Sequence, residues 1–264
     1  MSRSTGHLSL GRSYVKRALG LSCLLSILGV FLANLADSWG DYSLGVRNCL
    51  FYFTTFNYSF GIFSKLTYVF CAIPFAANYV TESNTTLRQY TIFRTTGKKY
   101  AWTNLLMTAF SGGFTLALGM VLFIVFMRFQ MPFFTEDYLD MIFVPDGYEY
   151  FLVHDRAIIY YIIMVVLEFL KGAVWASIGM TISAYIRINY VAIFSPLLVS
   201  YTYIEMCKAL QIPDLWRIDR IFSIQYSYPS TAISLAIVIG TTLTVFLICG
   251  CIFSKKIIRS VENE

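Results

Sequence analysis

Residues 99–128 read "KYAWTNLLMTAFSGGFTLALGMVLFIVFMR", and this stretch decides the fold. Its charged residues, Lys99 and Arg128, stand at its two ends. A helix needs about 20 apolar residues to cross the roughly 30 Å hydrocarbon core of a bilayer. The stretch is long and apolar enough to do so, and it therefore predicts a transmembrane helix.

The composition of the whole chain agrees with this interpretation. Of the 264 residues, 57% are hydrophobic and 13% are charged, whereas charged residues make up about a quarter of a soluble domain. We therefore predict an integral membrane protein. The net charge of +5 is spread over short loops, and no nucleic-acid-binding motif occurs, which argues against a nucleic-acid partner.

Six stretches are long and apolar enough to span the lipid bilayer. Arg12, Lys16 and Arg17 precede the first, as in a signal peptide, but its apolar run exceeds the about 7–15 residues of such peptides and lacks their cleavage site. We read it as a retained anchor. We predict an all-α, polytopic fold in which residues 1–264 form one transmembrane domain. The predicted spans are about 17–36, 59–81, 99–128, 157–186, 189–209 and 231–253.

The distribution of lysine and arginine predicts a multi-pass protein of the cell (plasma) membrane with both termini in the cytoplasm. In that topology the cytoplasmic segments hold twelve of the twenty basic residues, and the outer ends of the spans hold six. An excess of basic residues on the cytoplasmic side is what the positive-inside rule requires.

One polar and basic stretch interrupts the apolar sequence: "NYVTESNTTLRQYTIFRTTGKKYAW", residues 78–102. Candidate capping residues precede apolar side chains at helical spacing (Leu87, Tyr90 and Phe93), and Gly97 is a stop signal. The pattern predicts a short amphipathic helix at the cytoplasmic surface of the membrane.

This helix has two interpretations. It is either an interfacial helix that anchors the neighbouring spans, or a docking element for a soluble partner. In the second case its apolar side chains enter a groove of the partner, and Arg88 and Arg94 meet acidic groups around that groove.

The wider stretch "VTESNTTLRQYTIFRTTGKKYAWTNLLMTAFSGGFTLALG" resembles the cytoplasmic connection of type-2 permeases of ATP-binding-cassette (ABC) exporters. In that family an acidic residue ends the second span, and a coupling helix then contacts the ATPase. The resemblance extends to an N-terminal interfacial helix, here "HLSLGRSYVKRAL", and to a pair of short outer helices, here "IPDLWRIDRIFSIQYSYP". It implies these ATPase-docking residues: Glu82, Leu87, Arg88, Tyr90, Phe93, Arg94 and Gly97.

The resemblance also implies a function. The chain would be the permease subunit of an exporter that moves an amphipathic or hydrophobic substrate, such as a drug, a peptide or a lipid-like molecule. "TTGKKY" does not form a phosphate-binding loop, since Lys99 and Ile92 stand where that motif requires Ser or Thr and Gly. ATP and magnesium are therefore expected in a separate ATPase subunit. Because six helices make half of the family's pore, a second copy or a related permease is also expected.

No enzyme site emerges from the sequence. The chain has two histidines, His7 and His154, and it lacks H-E-x-x-H, C-x-x-C and G-x-S-x-G motifs. We expect no catalytic residue, no metal and no cofactor of its own. The alternative to a permease is a non-transporting membrane immunity or sensor protein whose cytoplasmic helix docks a regulator.

Charged residues occur inside the predicted spans: Lys65, Glu168, Lys171 and Glu205. Each costs at least about 2.5–3.5 kcal/mol on insertion scales, so these side chains are expected to face protein or water. Glu168 and Lys171, three residues apart on one helix, are expected to form an ion pair. A role in substrate binding or gating is the other interpretation.

The loop between the third and fourth spans combines acidic and aromatic residues. Such a surface would attract cationic amphipathic molecules, or its aromatic residues would form an interfacial belt. Its acidic residues are Glu136, Asp137, Asp140, Asp146, Glu149 and Asp155.

Small residues and cysteines leave further alternatives. "SGGFTLALG" and "GAVWASIGM" permit close helix approach, either within one bundle or along a dimer seam through Gly172 and Gly179. Cys49 and Cys207 lie near the outer face, where they would either stay free or pair.

Overall fold

The computed structural model of the chain describes residues 4–43, 49–54, 63–76, 79–80, 96–142, 146–186, 188–213, 217–228 and 230–262. Within these residues the fold is all-helical, without a β-strand, so the all-α part of the predicted fold is confirmed. The α-helices are α1 Ser4–Ser43, α2 Leu50–Tyr52, α3 Thr67–Phe70, α4 Gly97–Arg128, α5 Tyr150–Val153, α6 Ala157–Ser183, α7 Asn189–Ala209, α8 Ile218–Ile221 and α9 Thr231–Glu262. Two 3₁₀ helices cover Phe63–Leu66 and Glu136–Met141.

Five helices are long and apolar enough to cross a membrane, among the residues that the structure describes. They coincide with five of the six predicted spans, and a membrane-embedded protein is therefore supported. The candidate spans are Gly20–Trp39, Gly97–Arg128, Ala157–Ser183, Asn189–Ala209 and Thr231–Ser260.

The remaining predicted span, the second in the chain at residues 59–81, is not one long helix where it is described. It consists of the 3₁₀ helix Phe63–Leu66, the single turn α3 and a run of turns at 71–75. The amide of Ala72 bonds the carbonyl three residues back, at 3.1 Å, while that of Ile73 bonds the carbonyl four residues back, at 3.3 Å. Pro74 follows directly, and because it has no N–H to donate to the carbonyl four residues back, the ladder is interrupted there. It resumes at Ala76, whose amide bonds the carbonyl of Ala72 at 3.0 Å.

The described residues contain only part of the short helices that the resemblance implies. No break separates an N-terminal interfacial helix from the first span, because α1 runs without interruption from Ser4 to Ser43. In the predicted pair of outer helices, the described residues contain only the four-residue α8. The predicted coupling helix falls within residues 81–95, which lie outside the described residues. Gly97, its predicted stop signal, is the first residue of α4.

The α4 and α6 helices form the centre of the bundle through a seam of glycines. A Cβ atom on Gly172 would lie 2.6 Å from the carbonyl oxygen of Gly112, and one on Gly113 would lie 2.6 Å from that of Phe169. On the far side of α6, a Cβ on Gly179 would lie 2.9 Å from Cγ of Pro196 in α7. Packing inside one bundle therefore accounts for the small-residue stretches, including Gly172 and Gly179.

The bundle has two ends, between which α4 runs. At the Tyr79 end, Tyr79 clusters with Tyr100, Phe253 and Ile257. At the opposite end, which we call the Asp37 end, the amides of Leu50 and Phe51 donate to the carbonyls of Pro132 and Phe133 at 3.0 and 3.2 Å. Since α1 runs parallel to α4 and α9 antiparallel to it, α1 begins and α9 ends at the Tyr79 end.

Candidate functional site

A cavity of about 310 Å³ lies inside the bundle, toward the Asp37 end. Its wall is formed by α6, α7, the 3₁₀ helix Phe63–Leu66 and the segment around α8. The cavity brings together the charged residues that the sequence identified separately inside the predicted spans: Lys65, Glu168, Lys171 and Glu205. Sequence alone did not reveal that they face one space.

Four more charged residues line the same cavity: Lys208, Arg217, Asp219 and Arg220. From the sequence, the three basic residues of this set were assigned only to the outer ends of spans, in the count of lysines and arginines. The signal that would have identified them is "RIDR", residues 217–220, in which three of four residues are charged between two apolar spans. The described lining thus holds five basic and three acidic side chains, an excess of two positive charges.

Glu168 and Lys171 form the expected ion pair near the middle of α6. The Nζ of Lys171 donates to Oε1 and Oε2 of Glu168 at 3.1 and 3.3 Å. The side chain of Glu168 is 5% exposed and that of Lys171 is 12% exposed. Nζ of Lys171 also lies 5.6 Å from the ring centroid of Tyr68, where a cation and an aromatic ring attract each other. This pair is therefore a shielded element of the cavity wall.

Glu205, the acidic residue that α7 contributes to the wall, is in a more exposed environment. Nζ of Lys208 donates to Oε1 of Glu205 at 2.8 Å, with the same spacing of three residues. Here the two side chains are 57% and 48% exposed. An exposed pair of this kind contributes at most about 1 kcal/mol, so it is more readily rearranged than the Glu168–Lys171 pair.

A third charged group is built by α8 and the residue before it. Arg217 donates through Nε and Nη2 to the two carboxylate oxygens of Asp219, at 3.2 and 2.8 Å. Nε of Arg220 lies 4.0 Å from the same carboxylate, and its guanidinium stacks 4.1 Å above the ring of Tyr226. One carboxylate therefore serves two guanidinium groups.

Lys65 enters the cavity from a 3₁₀ helix that is held in place by Asp37. The amides of Phe63 and Ser64 donate to Oδ1 and Oδ2 of Asp37, at 3.0 and 2.6 Å. These are the first N–H groups of that helix, which have no partner within it. Among the described residues, no carboxylate oxygen lies within 4.0 Å of the Lys65 ammonium, and its side chain is exposed.

The sequence did not identify Asp37, because a single acid at the end of a span carries no distinctive signal. We expect Asp37→Ala to lower the free energy of unfolding by about 1 kcal/mol, the typical cost of losing a helix N-terminal cap. Thermal unfolding of the purified protein in detergent measures this. Asp146→Ala, at an exposed loop residue, is the matched control, and an equal loss in both variants would contradict the capping role.

The outer acidic loop offers fewer exposed carboxylates than its sequence contains. Four of its acidic residues are exposed, Glu149 is buried, and the side chain of Asp140 lies outside the described residues. The exposed ones are Glu136, Asp137, Asp146 and Asp155.

The aromatic residues of this loop turn toward the bundle. The rings of Phe133 and Tyr161 lie 5.1 Å apart, and those of Phe134 and Phe51 5.5 Å apart. Burial raises the pKa of the Tyr148 phenol to about 12. Much of the loop's aromatic area is therefore used in packing, and attraction of cationic molecules stays a prediction from the sequence.

The remaining predicted residues fall in two groups. Glu82, Leu87, Arg88, Tyr90, Phe93 and Arg94 lie outside the described residues. All six cysteines are free thiols, and Sγ of Cys49 donates to the carbonyl of Phe133 at 3.5 Å. Among the described residues, no three histidine, cysteine or acidic side chains are grouped so that they could hold a metal ion.

No protein-family model, curated protein or solved structure matches this chain.

Proposed function

We propose that this chain is the membrane-spanning permease subunit of an ATP-driven exporter in the cell membrane. A separate ATPase subunit binds ATP and magnesium, and a second copy or a related permease completes the pathway. The substrate is an amphipathic or hydrophobic molecule, such as a drug, a peptide or a lipid-like compound. The observation that carries the proposal is the charged cavity inside an otherwise apolar bundle.

The cavity supports transport because placing charged side chains within a membrane protein costs free energy. Charged side chains at membrane depth, here Glu168 and Lys171 near the middle of α6, are rare and usually mark ligand or ion pathways. A protein that only anchors a complex needs no such space, whereas a volume of about 310 Å³ falls at the lower end of the range of ligand sites. Part of the wall is apolar, as an amphipathic substrate requires: Met164, Leu167, Leu197, Ile204, Phe222 and Ile224.

We further propose that residues 59–81 cross the membrane, so that the chain has six crossings. Ser64 is bonded to Asp37 at one end of the bundle. A Cβ on Gly112, near the middle of α4, would lie 2.8 Å from the carbonyl of Cys71. At the other end the ring of Tyr79 lies 5.1 Å from that of Phe253. These contacts support a segment that traverses the bundle although it is not one continuous helix.

The Tyr79 end is proposed to face the cytoplasm, with both termini. Exposed basic residues gather there, at the start of α4 and in the last turns of α9: Lys98, Lys99, Lys255 and Arg259. The orientation follows the count over the whole sequence, in which the segments on this side hold twelve basic residues against six at the outer ends. It also supports an ATPase that docks at this end, next to the predicted coupling helix.

Docking is tested by replacing both Tyr90 and Phe93 with aspartate. We expect the double variant to lose its ATPase subunit by at least about tenfold, since two buried carboxylates in an apolar groove have no partners. The measurement is the amount of ATPase subunit and of magnesium-dependent ATP hydrolysis that copurify with the tagged chain.

The matched control is Phe129→Asp, because Phe129 is 86% exposed and lies at the opposite end of α4. This variant is expected to keep its ATPase. Undiminished copurification with the double variant would remove the docking assignment. A wild-type chain that brings down no ATPase activity would contradict the exporter and favour the immunity or sensor protein.

A further inference from the structure

The charge balance of the cavity points to its ligand. Three of its basic side chains have a carboxylate within 3.3 Å: Lys171, Lys208 and Arg217. Arg220 shares the carboxylate of Asp219 at 4.0 Å. Lys65 has none within 4.0 Å among the described residues, so no described carboxylate of the lining offsets its charge.

The position of Lys65 is set by the fold. Both carboxylate oxygens of Asp37 are engaged by the amides of Phe63 and Ser64, so this carboxylate fastens the 3₁₀ helix through its backbone. The next residue, Lys65, is thereby presented to the cavity. Because its side chain is exposed, the ammonium group is accessible to an anion that enters the cavity.

We propose that the cavity binds the anionic group, a phosphate or a carboxylate, of a single-chain amphipathic molecule, with Lys65 as its principal counter-charge. Arg220, 27% exposed, lines the same cavity. This inference rests on the proposed function for the claim that the molecule is exported, but binding itself does not require transport. It specifies an anionic substrate, opposite in charge to the one that the outer acidic loop suggests.

The amphipathic character of the ligand follows from the rest of the lining. Next to the charged side chains stand Met164, Leu167 and Leu197, which a free inorganic anion would not use. The volume of about 310 Å³ admits a head group and part of one alkyl chain, and it is too small for a folded peptide.

Binding is measured with the purified full chain in nanodiscs of phosphatidylcholine. The probes are dodecyl phosphate, inorganic phosphate and dodecyltrimethylammonium, each titrated by calorimetry. We expect dodecyl phosphate to bind at least about tenfold more tightly than either of the others. If inorganic phosphate binds as tightly, the anion site stands and its amphipathic ligand is overturned. If the cationic probe binds as tightly as dodecyl phosphate, the proposal fails.

Three variants assign the site. Lys65→Met is expected to raise the Kd for dodecyl phosphate at least about tenfold, and Lys65→Arg to keep it within about threefold. Lys99→Met removes the same charge from an exposed residue at the Tyr79 end and is expected to change nothing. Equal losses in Lys65→Met and Lys99→Met would show a general surface-charge effect and overturn the assignment. Unchanged thermal unfolding in Lys65→Met shows that the variant is folded.

The two proposals fail separately. An ATPase that copurifies with a chain that shows no preference for dodecyl phosphate would leave the exporter intact and remove the anionic substrate. A chain that binds dodecyl phosphate through Lys65 but associates with no ATPase would retain the anion site and lose the exporter.

Discussion

Replacing Gly112 with leucine is expected to prevent α4 and α6 from packing, with a loss of about 3 kcal/mol or more in the free energy of unfolding. A Cβ at this position contacts Cβ of Ala176, and it would lie 2.8 and 3.0 Å from the carbonyl oxygens of Cys71 and Gly172. Backbone atoms cannot turn away as a side-chain end can, so the helices must separate. Thermal or denaturant unfolding of the purified protein in detergent measures the loss.

The same substitution at Gly240 is the matched control. Gly240 lies within α9, and nothing lies within 4 Å of a Cβ built on it. We expect Gly240→Leu to leave the unfolding transition close to that of the wild type. Similar losses at both glycines would mean that leucine is costly in any helix of this protein, and the close α4–α6 seam would then not be the cause.

Removing the charge of Glu168 is expected to destabilise the fold by about 3 kcal/mol, as for other buried ion pairs that lose one partner. Glu168→Gln takes away the carboxylate that Lys171 contacts at 3.1 Å, and both side chains are shielded. Lys171→Met in the same chain removes the remaining charge, and the double variant is expected to recover much of the loss. A double-mutant cycle of unfolding free energies measures the coupling between the two sites.

Glu205→Gln provides the matched comparison for this cycle. Its ion pair with Lys208 has the same spacing along a helix but is about half exposed, and the expected loss is below about 1 kcal/mol. Additive effects of Glu168→Gln and Lys171→Met would show that the pair does not contribute as a unit. A loss in Glu205→Gln as large as in Glu168→Gln would contradict the role of burial.

Local regularities in the sequence predicted much of the bundle. Five candidate spans could be predicted because a membrane-spanning helix is recognised from the hydropathy of its own consecutive residues, without knowledge of its neighbours. The pairing of Glu168 with Lys171 was expected from a separation of three residues on one helix. The second span was predicted in the same way, but Pro74 interrupts its backbone ladder, and a hydropathy sum does not register a missing N–H.

The candidate site required information of another kind. Lys65, Glu205 and Arg217 are far apart in the chain, and they share a cavity because of how three segments are rotated and which of them are neighbours. Asp37 was missed for the same reason, since its hydrogen bonds reach residues 26 and 27 positions further along the chain. The buried Glu149 likewise looked like any other acid of the outer loop.

The sequence by itself determined that this protein is embedded in a membrane and is helical, because backbone groups in lipid must be satisfied within each segment and long apolar runs leave no other solution. Only the tertiary structure decided that charges from separate segments converge on one cavity, whose described lining holds five basic and three acidic side chains. Convergence depends on the close approach of α6 and α7, where a Cβ on Gly179 would lie 2.9 Å from Cγ of Pro196, and on the fastening of the Lys65 segment by Asp37. Such contacts between distant residues are set by packing, which no local pattern of residues encodes.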